Sequence, residues 1–475
     1  MNELELTQLD GGKVLLDENA LSGLRTAFGE QLILPSDAGF EAARKVWNGM
    51  IDRRPALIVR CRGAADVLAA LRFAREHRAL LAVRGGGHNV AGYGTCDGGL
   101  VIDLSPMRHV EVDPTTHTVR VAGGATWAEV DRETQVFGLA VPGGIVSTTG
   151  VAGLTLGGGQ GWLRRTYGMA SDSLKSATVV TAAGELVTAS LEQNPDLFWA
   201  LRGGGGNFGV VTSFEFNTYP AGPLIAFAGP AYPLESAATV MAAMRRFASD
   251  APDEVNLSAT WWSIPAVDAF PAALHGRPVI ILGAVYVGDP SVGERVLQPL
   301  REIETPLLDL SGTLPYLALQ KLFDPFFPAR ELQYYWKSIY LSGLDEDAVQ
   351  TVAERVAARP SAMSMVGLWA LGGALDRLDG SASATGERGA PYLLEILANW
   401  QDPAQSAENI AWARDLFDAM RPHATGKTNL NFPGTGDEEG FTRAALGEHW
   451  KRLVQIKQRF DPENLFRLNQ NITPY

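Results

Sequence analysis

The sequence predicts an α+β protein of two domains, and three observations predict it. At 475 residues the chain exceeds what one ordinary hydrophobic core supports. Its first half alternates short strand and helix patterns around three glycine clusters. Beyond Tyr219-Pro-Ala-Gly-Pro223 the glycine-rich texture ends, and longer strands and amphipathic helices take over. We place a domain boundary there, giving 1–223 and 224–424 as distinct regions.

The elements follow in order. Residues 56–61 read as a strand and 64–77 as an amphipathic helix, because the apolar positions switch from consecutive to helical spacing. Residues 80–84 and 100–104 are apolar runs, as expected of buried strands. Residues 110–112 and 118–121 flank Asp113-Pro114-Thr115-Thr116, a turn signal that predicts a hairpin. Thr126-Trp-Ala-Glu129 is a capping-box pattern, and Gly138 is the stop for that helix. A second hairpin is predicted over 178–188, around Ala-Ala-Gly184. A helix pattern over 194–202 precedes a strand pattern over 210–216.

In the second half, residues 279–287, 334–341 and 392–400 read as long strands, and 346–358 and 406–420 as helices. That pattern predicts a largely antiparallel sheet backed by helices. Residues 441–460 read as one long amphipathic helix ending at Asp461-Pro462.

Composition narrows the function classes. A net charge of −13 argues against a nucleic acid or an anionic membrane as partner. No apolar run reaches the ~18 residues of a spanning helix. The acidic N-terminus shows no export signal, and Cys61 and Cys96 make no disulfide framework, so a cytoplasmic setting is expected.

The glycine clusters carry the functional signal. The first is Arg84-Gly85-Gly86-Gly87-His88, directly after the apolar run. The second runs from Gly143 and Gly144 through Gly150 and Gly153 to Gly157, Gly158 and Gly159, and the third from Gly203 to Gly206 with Gly209. Each glycine costs up to ~1 kcal/mol in regular structure. Ordinary tight turns would explain some of them. Close approach of backbone to something extended explains all three, because amide nests bind anions. His88, straight after one nest, lies beside whatever the nest holds.

Other motifs are excluded. Gly204-x-Gly206-x-x-Gly209 follows a helix and precedes a strand, the reverse of the dinucleotide fingerprint. Gly426-Lys427-Thr428 lacks the upstream P-loop glycine, since that position is Arg421. No His-Glu-x-x-His zinc motif is present, and no metal is expected. In the strand over 392–400, Glu395 and Asn399 are the polar residues and share one face by period-two alternation. Glu395 is either a buried base or a glutamate on the sheet's wet face. Lys337, sharing a strand face with Tyr335, is either a substrate-orienting group or an edge-strand lysine.

The Arg84–His88 run, the glycine clusters and the tail 450–471, with its Arg-Phe-Asp-Pro-Glu-Asn-Leu-Phe stretch, resemble the berberine-bridge-enzyme-like FAD-linked oxidases of the vanillyl-alcohol-oxidase (PCMH-type) superfamily. The resemblance covers most of 40–223 and returns at 425–475. It implies an FAD-binding domain of two α+β subdomains, completed by 425–475, and a substrate domain over 224–424. It implies FAD bonded covalently to His88, within the run formed by Arg84, Gly85, Gly86, Gly87 and Asn89. Thr149, Gly150, Gly153, Gly157 and Gly158 are the implied contacts of the second cluster. Asn207, Phe208, Gly209 and Val211 are those of the third, with Asn431 and Asn469 from the tail.

Departures from the family pattern are informative. Many members attach flavin a second time through a cysteine where this chain has Val146, so attachment through His88 alone is expected. Their Tyr-x-Asn reads Asn429-Leu430-Asn431, and an often aromatic position is Gln160. Glu395 therefore becomes the expected base, with Lys337, Tyr335 and Gln160 as further catalytic candidates. The resemblance implies hydride transfer from a carbon bearing a hydroxyl or amine on a small alcohol, sugar or amine. Molecular oxygen is the expected acceptor, with compact Thr149 leaving its path open. A dehydrogenase using another acceptor, and a non-catalytic flavin-binding protein on the same fold, are the alternatives.

Overall fold

The computed structural model describes residues 4–432, 434 and 438–475. Strands Leu57–Arg60, Leu100–Asp103 and Leu81–Arg84 run parallel, with Leu32–Ile33 antiparallel at the edge. Their apolar runs are buried on both faces, the usual condition of parallel strands. Helix Ala64–Glu76 covers one face through Val67, Leu71 and Ala74, one helical stripe. An N-terminal hairpin, Leu4–Thr7 with Lys13–Leu16, and helix Glu18–Phe28 join the same core. Sequence reading missed them because the strands are short and half-exposed.

The second sheet is antiparallel, in the order Leu186–Ala189, Leu174–Val180, Val210–Asn217, Thr118–Ala122, Val110–Asp113. Both expected hairpins are present in it. The capping box also forms: the Thr126 amide donates to Glu129 at 2.7 Å, and helix Trp127–Thr134 follows. That helix runs through a short 3₁₀ turn and ends at Gly138 in the left-handed region.

The third sheet is the largest. Its main path is Leu308–Asp309, Pro230–Pro233, Pro278–Tyr286, Val255–Ser263, Met365–Ala370, Tyr392–Trp400, Gln333–Leu341, with all neighbours antiparallel. Helices Ala237–Asp250, Glu346–Ala357 and Ser406–Met420 back one face. They bury Val240, Val352 and Leu416 against Leu257, Ile396 and Ile339. The opposite face looks toward the glycine-rich region. Glu395 pairs across to Gly367 on one side and Ser338 on the other, so this register decides what that face presents.

One element differs from expectation. The helix expected over 441–460 is two helices, Glu438–Leu446 and Trp450–Phe460, joined by a 3₁₀ turn. Gly447 at φ +52° interrupts the α-helix, a conformation that amphipathic spacing alone does not reveal. Beyond Phe460, Asp461 accepts the amides of Leu465 and Phe466 and pairs with buried Lys457 at 2.7 Å, fixing the tail. Among the described residues no helix is long and apolar enough to cross a membrane.

Candidate active site

The three glycine clusters converge on one cavity of about 270 Å³ between the glycine-rich region and the free face of the large sheet. That is far more than a metal ion or a single phosphate needs. The first and second clusters touch: a Cβ on Gly86 would lie 2.5 Å from the Gly150 Cα, so only glycine allows the contact. Gly205, Gly206 and Gly209 close the same cavity from the third cluster, and Leu468, Asn469 and Gln470 from the tail.

His88 opens onto the cavity, and its ring is set before any ligand arrives. The imidazole stacks on Trp47 with centroids 4.1 Å apart, and Trp47 stacks in turn on Tyr334 at 3.8 Å. The indole N–H of Trp47 donates to the Phe327 carbonyl at 3.1 Å. His88 Nε2 lies 3.3 Å from the Thr148 hydroxyl. Desolvation pushes the imidazole pKa down to about 3, so the ring is neutral and nucleophilic at physiological pH.

Most of the other cofactor-side expectations meet here. Gly85, Gly87, Asn89, Thr149, Gly153 and Gly157 line the cavity, as do Val211 and Asn431. Asn431 is anchored by donating to the Leu154 carbonyl at 3.1 Å. Arg84 lines it too, but its guanidinium is paired with buried Asp103 at 2.9 Å, so its charge serves the scaffold.

Three expected contacts sit behind the wall. Gly158 packs toward Met169 and Thr385. Asn207 is fully buried and brackets the third cluster to the tail, donating to the Gly204 and Gln470 carbonyls and accepting the Ile472 amide. Phe208 belongs to the hydrophobic core.

The sheet supplies the opposite wall. Trp336, Trp369, Leu397 and Glu395 face the cavity from three adjacent strands. Glu395 is 7% exposed, and burial raises its pKa to about 7. A hydrogen bond from Trp369 and the field of Arg164 oppose that rise. Arg164 is fully buried, donates to the Ala370 and Gly161 carbonyls at 3.1 Å, and lies 4.3 Å from the Trp369 ring centroid. It thereby holds the tryptophan that holds the acid. Gln160 also lines the cavity and donates to the Tyr340 hydroxyl at 3.1 Å, while Asn429 sits beside it with its side-chain oxygen accepting the Asn431 amide at 3.0 Å.

Lys337 and Tyr335 are not part of this wall, which corrects the sequence expectation. Both share a face with Ile396 and Ala398, the helix-backed side of the sheet. Lys337 lies over the Phe417 ring at 4.4 Å, and the Tyr335 hydroxyl accepts from Arg414 Nε at 3.0 Å. Strand alternation turns them away from Glu395, because Lys337 pairs with Ile396 and not with Glu395 itself. Their neighbour Trp336 faces the cavity instead. Sequence reasoning missed Trp336 and Trp369, and the alternation signal that rejects Lys337 would have found the first. Arg164 and Trp47 gave no signal, since each acts through contacts more than forty residues away in sequence.

Comparison with known proteins gives the class, the FAD-linked oxidoreductases. The model of an FAD binding domain matches residues 55–190, and that of the berberine and berberine-like proteins matches 430–473. An FAD-linked oxidoreductase of Dictyostelium discoideum is 30% identical over 438 residues, covering 90% of this chain and 91% of its own. (R)-6-hydroxynicotine oxidase of Paenarthrobacter nicotinovorans is 30% identical over 455 residues, covering 94% and 96%. Among solved structures, 6-hydroxy-D-nicotine oxidase from Arthrobacter nicotinovorans superposes with a TM-score of 0.84 at 28% identity, covering 94% of this chain and 98% of that one. Xylooligosaccharide oxidase from Myceliophthora thermophila does so with a TM-score of 0.82 at 25% identity, covering 94% and 99%. The chain belongs to the berberine-bridge-enzyme-like family of FAD-linked oxidoreductases.

The cavity fits FAD. A Cβ on Gly153 would meet nothing within 4 Å, and one on Gly206 only Asn469 at 4.0 Å, so backbone there is open to a ligand. Asn469 Oδ1 is a buried acceptor with no protein partner on the same wall. Amide-rich backbone and an unpaired amide oxygen suit a cofactor with both phosphates and ring N–H groups.

Proposed function

We propose that this protein is an FAD-dependent oxidase, with FAD bonded to His88 alone, acting on a carbon that bears a hydroxyl or an amine. The observation that carries this reading is Glu395, an acid with its pKa near neutrality, on the wall facing the glycine nests. FAD when bound supplies a two-electron acceptor that takes hydride and passes the electrons to oxygen, giving hydrogen peroxide. Glu395 takes the O–H or N–H proton of the substrate, since a carboxylate titrating near 7 is available as a base at physiological pH. Trp369 steadies the carboxylate by its N–H, and Arg164 steadies Trp369. Gln160 and Asn429 offer the substrate side-chain amides beside the acid.

Attachment through His88 alone is supported by the neutral, stacked imidazole and by Val146, which lines the same cavity without a nucleophile. Cys61 and Cys96 are buried elsewhere, with thiol pKa values raised mainly by burial. Compact Thr149 on the wall supports oxygen access. The relatives' names span an amine-containing hydroxynicotine and a xylooligosaccharide, which supports the hydroxyl-or-amine class. Mixing reduced enzyme with air-saturated buffer in a stopped-flow instrument tests the acceptor. Reoxidation within seconds, with stoichiometric peroxide, is expected. Reoxidation over many minutes would favour a dehydrogenase.

A further inference from the structure

We infer that Trp47 and Ser147 are positioning residues for the attachment of FAD to His88, and that both are placed by residues 324–334. That segment leads into the strand Gln333–Leu341 of the large sheet. The inference rests on the reading that His88 carries FAD covalently. Two contacts fix the His88 ring, one on its face and one at its edge. Trp47 stacks on the face, with ring planes 19° apart, and its main-chain amide donates to the carbonyl of the preceding residue, Gly87, at 3.0 Å. At the edge, Nε2 meets the hydroxyl of Thr148, the residue after Ser147, at 3.3 Å.

Both contacts trace back to the same segment. Trp47 donates its indole N–H to the Phe327 carbonyl at 3.1 Å, accepts the Arg330 amide on its own carbonyl at 2.8 Å, and stacks on Tyr334. Asn48 repeats the link beside it. Its side-chain amide donates to the carbonyls of Val90, at 2.7 Å, and Tyr334, at 2.8 Å, and its oxygen accepts the Tyr334 amide at 3.1 Å. Gly49 donates to the Leu332 carbonyl at 3.0 Å, so closely that a Cβ would lie 2.6 Å from that oxygen. On the edge side, Asp324 accepts both the amide of Ser147 at 2.8 Å and its hydroxyl at 2.6 Å. Trp47, Asn48 and Ser147 are all buried. The loop that bears His88 follows three glycines, whose backbone holds no conformation by itself. The segment 324–334 supplies the rigidity which that loop lacks.

Attachment makes a narrow geometric demand. A ring nitrogen of His88 replaces one hydrogen of the flavin's 8α-methyl group. The N–H of the neutral ring and one methyl C–H break, one N–C bond forms, and two electrons with two protons pass to dioxygen as hydrogen peroxide. The nitrogen lone pair lies in the imidazole plane, so the tilt of that plane decides whether it points at the methyl carbon. A flat stack on Trp47 sets the tilt, and the Thr148 hydroxyl sets the rotation within it. Attachment therefore waits on the packing of 324–334 against Trp47 and Ser147, whereas FAD binding on the glycine wall does not.

The test uses the full chain, made in flavin-limited cells and then given excess FAD in air-saturated buffer. Wild type, Trp47→Leu, Trp47→Phe and Asp324→Ala are followed over time in two readouts. Flavin absorbance of the folded protein after gel filtration gives FAD bound, and flavin kept by the chain after acid denaturation gives FAD attached. Trp47→Leu is expected to bind FAD as fully as wild type but to attach it about 10²-fold more slowly, the cost of a misplaced reacting group. Trp47→Phe keeps a stacking face and should recover most of the rate. Asp324→Ala, which touches neither His88 nor the cavity, should slow attachment by about 10-fold, and it decides the matter where Trp47→Leu does not fold. Attachment at the wild-type rate in Trp47→Leu or in Asp324→Ala would overturn the inference and leave the covalent reading standing. Loss of FAD binding in step with attachment would mark these residues as structural only and would also overturn it. No attachment in wild type would defeat the covalent reading itself, and this inference with it.

Discussion

The two walls of the cavity are built on opposite principles. The cofactor wall is rich in bare backbone: glycines with nothing beyond Cα stand among its aliphatic side chains, and its loops are held together by contacts such as Gly86 on Gly150. The sheet wall is mostly side chain: two tryptophans, a leucine and one acid on adjacent strands. On the proposed function, backbone on the first wall would hold a cofactor of fixed shape. Side chains on the second would then select the substrate and take its proton. Variants on the first wall should therefore change whether flavin is held, and variants on the second what it does once held.

The largest expected effect lies on the sheet wall. Glu395→Gln keeps the shape and removes the basicity, so anaerobic flavin reduction should fall about 10²–10⁴-fold while FAD stays attached. Loss of FAD from that variant would break the division between the walls. His88→Ala is the matching change on the cofactor wall. After acid denaturation, flavin fluorescence should remain with the wild-type chain on a gel and be absent from the variant's. If FAD is still bound, its potential should fall and reduction should slow, because an electron-withdrawing attachment is gone. Release of all flavin from the denatured wild type would refute the covalent bond.

These predictions draw on features that differ in how legible they are in the sequence. Glycine clusters can be read directly, because a run such as Arg84-Gly85-Gly86-Gly87-His88 has few structural explanations. The strand Tyr392–Trp400 was legible to the residue, and so was the isolation of Glu395 within it. The neighbouring strand was legible as an element but not as a face. Lys337 and Tyr335 carry the chemistry that draws attention, yet register sends them to the helix-backed side and Trp336 to the cavity. Pairing register is a tertiary property, set by which strand lies alongside and where. Asn207 shows the same limit on the other wall: its cluster was found, but its role as a bracket to Gln470 and Ile472 depends on a tail over two hundred residues away.

Smaller effects sharpen the comparison. Lys337→Met should change flavin reduction by less than about threefold, because its side chain packs on Phe417 away from the acid. A drop approaching that of Glu395→Gln would show that the face assignment is wrong. The smallest effect concerns neither wall. Asp131 is fully buried behind the loop carrying Gly144, accepts from Gln320 at 3.0 Å, and has its pKa raised to about 7 by burial. The folded protein therefore holds a proton that the unfolded chain has lost between about pH 4 and pH 7, so this group's contribution to stability falls as pH rises through that window. Asp131→Asn removes the dependence. Its advantage over wild type in urea unfolding should grow by up to about 1.4 kcal/mol per pH unit across the window and then level off.

The central claim is that one buried acid on the sheet face, Glu395, takes the substrate proton. The most direct measurement is the rate of anaerobic flavin reduction against pH, at saturating substrate, in wild type and Glu395→Gln. The wild-type rate should climb with pH along a limb whose midpoint lies near 7, where the buried carboxyl titrates. That limb should be missing from the variant. The same limb at the same midpoint in Glu395→Gln would place the base elsewhere and contradict the account.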